Sequence, residues 1–373
     1  MGWSSRKRAH GEQTDLMPKV QVFTRDDPSA WQFYYDGLRG RRCIYSHPSY
    51  VALLAGLYGD SAELFVYEEG DYYIYYPYFK RPLERLGLRL PDGVELTGRV
   101  DFHSSWYYGG PLSSTSDLPA GFSTRYLEAF GEHARRSGCV TEFVRFDPNL
   151  ENHQLYPAAS VQFNRETVYV ELAGRTRDAV WREFDSQGRR GINRARREGI
   201  VVVPRSTDDA DYWRRFAAIY ADEMLRKDAP DRLRFDEAFF HLLRKTLPHN
   251  LCLMTAMSGE EEMFGAHLII FDETNAFIFL SATAFESWGS RVNNLMFAEA
   301  IFWALDHGKS RYDLQGGRPG VFRFKSHFSP KRGRFNTLKM VHDRRLFESL
   351  VAHNRLPAPS GEAAGERFPP YLP

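Results

Sequence analysis

The stretch Arg311–Phe335, RYDLQGGRPGVFRFKSHFSPKRGRF, decides how the chain is read. A short strand over Arg311–Leu314 runs into Gly316-Gly317. A turn at Pro319-Gly320 follows, then a run of aromatic and basic side chains, Phe322, Arg323, Phe324 and Lys325. From Lys309 to Lys339 nine basic residues face one acid, Asp313, in a chain whose 49 Lys and Arg otherwise balance 48 Asp and Glu. A solvated basic loop is the plain reading of a charge run. The interleaved rings point further: Phe322, Phe324 and Phe328 anchor the segment while Arg323 and Lys325 face a cleft, an arrangement suited to phosphates and stacked bases.

Immediately upstream, three strands (Leu251–Met257, Met263–Asp272, Ala276–Thr283) form an antiparallel meander. A helix over about Val292–His307, apolar nearly all round, stops at Gly308. Further upstream Gly188–Arg197 holds five arginines and no acid. As a helix it sets Arg190, Arg194 and Arg197 on one side. Exposed arginines commonly only solubilise a helix, but such a stripe also binds phosphates. Tyr212–Lys227 and Phe235–Thr246 read as amphipathic core helices.

In the first half a helix from Pro48 ends at Gly59, and paired strands follow around Glu69-Gly70. Alternation at Tyr73, Tyr75, Pro77 and Phe79 predicts one buried face, so these tyrosines read as packing. Asp101–Pro111, DFHSSWYYGGP, breaks the pattern with a Gly-Gly-Pro turn able to bring backbone N–H groups to a ligand. A helix over Ser123–Arg136, then Gly138, then a strand over Val140–Asp147 match the later order of helix, Gly308 and strand.

At 373 residues and 43% hydrophobic, the chain is long enough for two domains with sizeable cores. Net charge near zero requires any nucleic-acid site to be a local patch. Cys43, Cys139 and Cys252 are far apart, which argues against a disulfide framework or structural zinc and fits a reducing compartment. No signal peptide and no bilayer-length apolar run is read, so a cytoplasmic location is expected.

Three motifs, in order, resemble the Fem family of aminoacyl-tRNA-dependent peptidyltransferases and, more broadly, the acetyltransferase (GNAT) superfamily. They are YYGGP (Tyr107–Pro111), SQGRRGINRARREGI (Ser186–Ile200), and FAEAIFWALDHG followed by YDLQGG and GVFRFKSHF. The resemblance implies an α+β (mixed α/β) fold of two tandem GNAT-like domains, each a twisted mixed sheet flanked by helices, with no long coiled-coil insertion. The expected division is a disordered 1–20, a first domain over 21–160, a second over 161–356 and a disordered tail over 357–373.

It also implies aminoacyl-tRNA as donor, a small peptide-like or amine acceptor, and direct transfer with no cofactor and no metal. Lys325, backed by Phe324, would stabilise the developing oxyanion, with Asp313 a candidate base, although a strand-end Asp is as often a turn residue. Arg323, Lys331, Arg332 and Arg334 would hold the tRNA. Arg189, Arg190, Tyr107, Tyr108 and Gly109 would meet the acceptor. Gln187 stands where the family pattern has Lys, which speaks against a UDP-linked cell-wall precursor and for a peptide natural product. FESWGSRVNN (Phe285–Asn294) lacks the glycine-rich turn that seats a CoA pyrophosphate. A GNAT-type N-acyltransferase using acyl-CoA or a carrier protein is the competing enzyme reading, and an RNA-binding protein on a decayed GNAT fold the non-enzymatic one. Oligomeric state is left open.

Overall fold

The computed structural model describes residues 17–259, 262–285, 289–354 and 368–372. The first half runs β1 (Lys19–Phe23), α1 (Pro28–Gly37), α2 (Pro48–Tyr58), β2 (Ser61–Glu69), β3 (Tyr72–Pro82), β4 (Val100–His103), β5 (Leu112–Ser113), α3 (Phe122–Arg136) and β6 (Cys139–Arg145). The second opens with β7 (Val161–Glu171), α4 (Arg177–Glu183), α5 (Ser186–Arg197), β8 (Ile200–Arg205), α6 (Ala210–Arg226) and α7 (Glu237–Thr246). It ends with β9 (Leu251–Ser258), β10 (Glu262–Phe271), β11 (Asn275–Thr283), α8 (Val292–Asp306), β12 (Arg311–Gln315), α9 (Pro319–Ser326), β13 (Arg332–Val341) and α10 (Arg344–Asn354).

The strands form one mixed sheet in the order β1-β2-β3-β4-β6-β13-β7-β12-β11-β10-β9-β8, with β5 on β3. Each half contains one parallel pairing of named strands, β4 with β6 and β11 with β12. Each is made by the unit read from sequence: a helix, a glycine in the left-handed region (Gly138, Gly308), then a strand. β13 lies between β6 and β7 and pairs antiparallel with both, so the sheet runs unbroken through the two halves.

The helices cover both faces. α1, α2, α6 and α7 share one core with β2, β3, β9, β10 and β11, including Tyr50, Trp213, Phe240, Leu268 and Phe277. α4, α5 and α8 pack on the other face around Ile192, Met296, Ile301 and Tyr312, and α3 covers the first half there with Tyr126 and Phe130. Each large side chain so buried contributes about 1.5–3 kcal/mol. Among the described residues the longest helix, α6, has 17 residues, so none forms a long coiled-coil arm. No helix among them is long and apolar enough to cross a membrane.

Several expectations change. β3 is buried on both faces, because α3 covers Ile74, Tyr76 and Tyr78 while the other core takes Tyr75 and Phe79. Their hydroxyls are structural: Tyr75 donates to the Ser46 carbonyl at 3.0 Å and Tyr76 to Glu142 Oε1 at 2.8 Å. Within the range 1–20 expected to be disordered, Lys19 and Val20 belong to β1, paired with β2, and residues 1–16 lie outside the described set. In the tail expected to have little to pack, Phe368–Leu372 folds back. Tyr371 is fully buried and its hydroxyl donates to Asp101 Oδ1 at 2.7 Å, while 355–367 and 373 lie outside the described residues. Tyr371→Phe removes that bond from a buried carboxyl and should lower stability by about 2 kcal/mol, read as an earlier urea midpoint at unchanged slope.

Candidate functional site

β11 and β12 pair over only three residues, Asn275↔Arg311, Ala276↔Tyr312 and Phe277↔Asp313. Beyond Phe277, β11 continues to Thr283 beside β10 alone. β12 instead stays paired with β7 along its length, through a bulge after Asp313 that leaves Gln315 at φ 61°, a strained value for a residue with a side chain. The two strands therefore diverge. The two-residue period turns the backbone of Phe279, Ser281 and Thr283 toward the gap. Two side chains satisfy part of that open edge: the Tyr107 hydroxyl donates to the Phe279 carbonyl, and the Thr283 amide donates to Glu223 Oε2 at 2.8 Å.

The gap opens into a cleft of about 450 Å³. Its walls come from the loop carrying Trp106 and Tyr107, from the end of α6 (Tyr220, Glu223, Met224, Lys227), from β11, and from α9 (Val321, Phe324, Lys325). α9 is the segment read from sequence as a turn followed by a basic-aromatic run. It is a helix because Pro319 occupies the first turn, where its missing N–H is not needed, and because helical spacing brings Phe324 and Phe328 together at 5.5 Å. The same winding turns Lys325 inward. It is 8% exposed, its Nζ donates to the Gly316 carbonyl at 2.6 Å, and burial pushes its ammonium down to about 8.

Phe324 borders the cleft and two smaller recesses. One, about 340 Å³, is lined by Gln187, Arg190, Arg194, Arg291, Asn294 and His327. Gly191 makes it possible: a Cβ there would lie 2.6 Å from the Asn294 amide carbon, so only glycine lets α5 lie this close to α8. The other, about 360 Å³, lies around the first residues of α8 and reaches Glu223 and Lys227.

Lys325, Phe324 and Tyr107 thus meet in the cleft, and Arg190 lines the adjoining basic recess. The remaining predicted residues are placed otherwise. Asp313 is fully buried, accepting from the Gln315 amide at 2.6 Å and from Asn149 Nδ2 at 3.1 Å. Burial pushes its carboxyl up to about 6. It stands behind the cleft, within electrostatic reach of Lys325, and has no exposed oxygen with which to meet a substrate amine. Tyr108 is also interior, packed on Tyr45 and Phe335.

The Gly109 amide is spent on the Arg145 carbonyl at 2.7 Å, so it offers no N–H to a ligand. A Cβ there would crowd Ser104 and Ser105 at 3.0–3.1 Å, so its role is close backbone approach. Arg189 turns back to the carbonyls of Arg182 and Phe184. Lys331 pairs with Glu171 at 3.7 Å, Arg334 lies over the Phe163 ring, and Arg332 braces α9 through Ser326 Oγ and Phe322. Arg323 is exposed on α9.

Sequence reading missed Trp106, Asn293 and Glu223 as cleft residues. Glu223 carried a signal: it lies three residues after Tyr220 on the apolar stripe of α6 (Trp213, Phe216, Tyr220), so helical phase already turned it inward. Its carboxylate is 5% exposed and pairs with Lys227 at 2.5 Å.

Residues 182–326 match a family model described as an acetyltransferase (GNAT) domain. Among solved structures the chain is similar to FemX, at 10% identity and a TM-score of 0.63, covering 88% of this chain and 99% of that one. It is also similar to a C-terminal domain (DUF2156) assigned to a lysylphosphatidylglycerol synthetase from Agrobacterium fabrum, at 12% identity, TM-score 0.52 and coverage of 88% and 94%. L-PGS from Bacillus licheniformis aligns at 14% identity, TM-score 0.51 and coverage of 87% and 95%. No curated protein matches the chain in sequence.

Proposed function

We propose that this chain, whose residues 182–326 match a GNAT domain and whose fold is similar to that of FemX, is an aminoacyl-tRNA-dependent aminoacyltransferase. It would form an amide on an amine of a peptide-like acceptor. The observation that carries this reading is the desolvated Lys325 ammonium in the cleft where β11 and β12 part, with an arginine-lined recess on the other side of Phe324. The name of one structural neighbour supports this reading: it is a domain assigned to a lysylphosphatidylglycerol synthetase, a name that denotes a lysylated product.

An aminoacyl ester is already activated, so alignment and charge stabilisation are the main tasks. The acceptor nitrogen forms the C–N bond as the ester C–O bond to the ribose breaks. The nitrogen gives up one proton and the ribose oxygen takes one. The carbonyl oxygen carries transient negative charge, and Lys325 is the cation placed to meet it. Arg190, Arg194 and Arg291 supply the seat for the donor's terminal phosphates, with exposed Arg323 contributing along the acceptor stem. Asp313 acts from behind the cleft by favouring the charged form of Lys325. The 21–160 and 161–356 halves would divide the labour, the first contributing the Trp106–Tyr107 wall.

The test is incubation with total charged tRNA, one amino acid labelled at a time, and a cell extract as acceptor. RNase-sensitive transfer of label to a small product is expected. Transfer that persists after RNase, or that requires acyl-CoA, overturns the reading.

The basic recess beside the start of α8 favours one second reading, an acyl-CoA-dependent N-acyltransferase, because arginines at a helix N-terminus also suit a diphosphate. That reading expects CoA to raise the thermal midpoint by several degrees. The tRNA reading expects no shift with CoA and a clear shift with a tRNA acceptor-stem minihelix.

A further inference from the structure

The α6 side of the cleft has a chemistry of its own. Trp106 stacks on Tyr107, with centroids 4.5 Å apart and planes at 26°, and both rings pack against Phe279 at 5.9 and 5.4 Å. Tyr220, Met224 and Leu233 complete the wall. Its hydroxyls are already used: Tyr107 donates to the Phe279 carbonyl and Tyr220 to the Leu233 carbonyl at 2.7 Å. What faces the cavity is therefore ring surface and aliphatic surface. At the edge of this surface sits Glu223, the single acid among the described residues lining the cleft. The Thr283 amide and Lys227 occupy one lone pair on each of its oxygens, and a carboxylate offers about four such sites.

We propose that this wall is the acceptor site, and that the acceptor is a primary amine carried next to a bulky apolar or aromatic group, such as the N-terminus of a peptide beginning with an aromatic residue. The apolar group lies on the Trp106–Tyr220 surface, and its ammonium is held by Glu223 until it loses one proton to solvent and becomes the attacking amine. The two sides of the cleft differ in charge in a way that assigns them. The α5 arginines Arg190 and Arg194 lie beyond Phe324, where a polyanionic donor is favoured, while Arg291 borders both that recess and the one reaching Glu223. On the α6 side Lys227, the one cation of α6 among the described lining residues, is paired with Glu223. The assignment of this wall to the acceptor rests on the transferase reading above, whereas its preference for an aromatic amine does not.

The test measures binding of L-phenylalaninamide, glycinamide and N-acetyl-L-phenylalaninamide to the full chain by ligand-observed NMR, in the absence of any tRNA. Phenylalaninamide is expected to bind at least tenfold more tightly than glycinamide, about what a buried aromatic ring provides. Trp106→Ala should remove at least tenfold. Met224→Trp fills the site from α6 without removing a core ring and should do the same, so the test survives if the Trp106 variant fails to fold. Glu223→Gln should weaken phenylalaninamide and leave the N-acetyl compound, which has no ammonium, unchanged. Equal binding of the two amides, no effect of Met224→Trp, or equal loss of both phenylalanine compounds in Glu223→Gln would each overturn the proposal.

A transfer assay with charged tRNA then separates the two ideas. Acylation of glycinamide as fast as phenylalaninamide sinks the acceptor proposal and leaves the transferase standing. Tight, Trp106-dependent phenylalaninamide binding with no transfer from any charged tRNA sinks the tRNA reading and leaves the amine site standing.

Discussion

Lys325→Met should lower the transfer rate by about 10²–10³-fold, the usual loss when one oxyanion-stabilising group is removed, and should make the folded protein more stable at pH 7. Both effects follow from the same burial. In the native cleft the ammonium is stripped of water and falls from 10.5 to about 8. A shift of that size corresponds to roughly 3 kcal/mol against the charged form, partly offset by about 1 kcal/mol from the bond to the Gly316 carbonyl. Methionine fills the same volume with no charge to desolvate, so the net gain should be about 1–2 kcal/mol.

The pH dependence has a definite sign. Because the folded pKa lies below the unfolded one, the unfolded chain binds the proton more tightly between the two values. The penalty is complete below about pH 8 and fades as pH rises toward 10.5. Urea melts of the two proteins should therefore differ most at pH 7 and converge by about pH 10. The wild-type transfer rate should fall as pH passes about 8, because the ammonium is the active form. Because the acceptor amine also loses its proton in this range, the comparison is with Lys325→Met: a climb in the wild type that the variant loses would make neutral Lys325 a base and overturn its assignment as an electrostatic stabiliser.

The second large effect is expected from reversing charge in the basic recess. Arg190→Glu/Arg194→Glu should weaken binding of a tRNA acceptor-stem minihelix by about 100-fold near physiological salt, and should reduce the slope of log K against log salt by about 2. The fold should be indifferent. Arg190 makes no ion pair among the described residues, and the exposed Arg194–Glu198 pair at 2.7 Å is worth at most about 0.5 kcal/mol. Unchanged binding in filter or anisotropy titrations, with unchanged thermal midpoint, would move the donor away from α5.

The difference between what could and could not be read from sequence is physical. α8 and the β9–β11 meander are legible because a helix apolar on all sides and runs of Val, Ile, Leu and Phe between turn residues leave few alternatives. α5 is legible as a helix, and its Arg190–Arg194 stripe does line one recess. α9 was hidden because Pro-Gly usually marks a turn, while at the first turn of a helix the same proline is favourable.

β13 was hidden because RGRFNTLKMV is too polar to resemble an interior strand. It lies inside the sheet through its backbone bonds to β6 and β7, which bury Asn336 and Thr337. At the site, Lys325 was found through family resemblance, and nothing local in the sequence announces its burial. Glu223 was passed over within a helix read only as core packing, although its helical phase turned it inward. Asp313 was legible as an acid near the loop, but the β12 bulge that turns it inward is a tertiary feature.

The position of β13 also constrains how the molecule can be assembled. β6, completed at Arg145, presents a free edge until Arg332–Val341 has been synthesised and added beside it. Neither half is then a self-sufficient folding unit. The first lacks a strand that the second supplies, much as one chain completes another in donor-strand complementation. Folding must wait for contacts of high sequence separation, which slows it and exposes the β6 edge to mispairing in the meantime. Two separately expressed pieces divided near residue 160 should accordingly be poorly soluble alone and recover a single cooperative transition when refolded together.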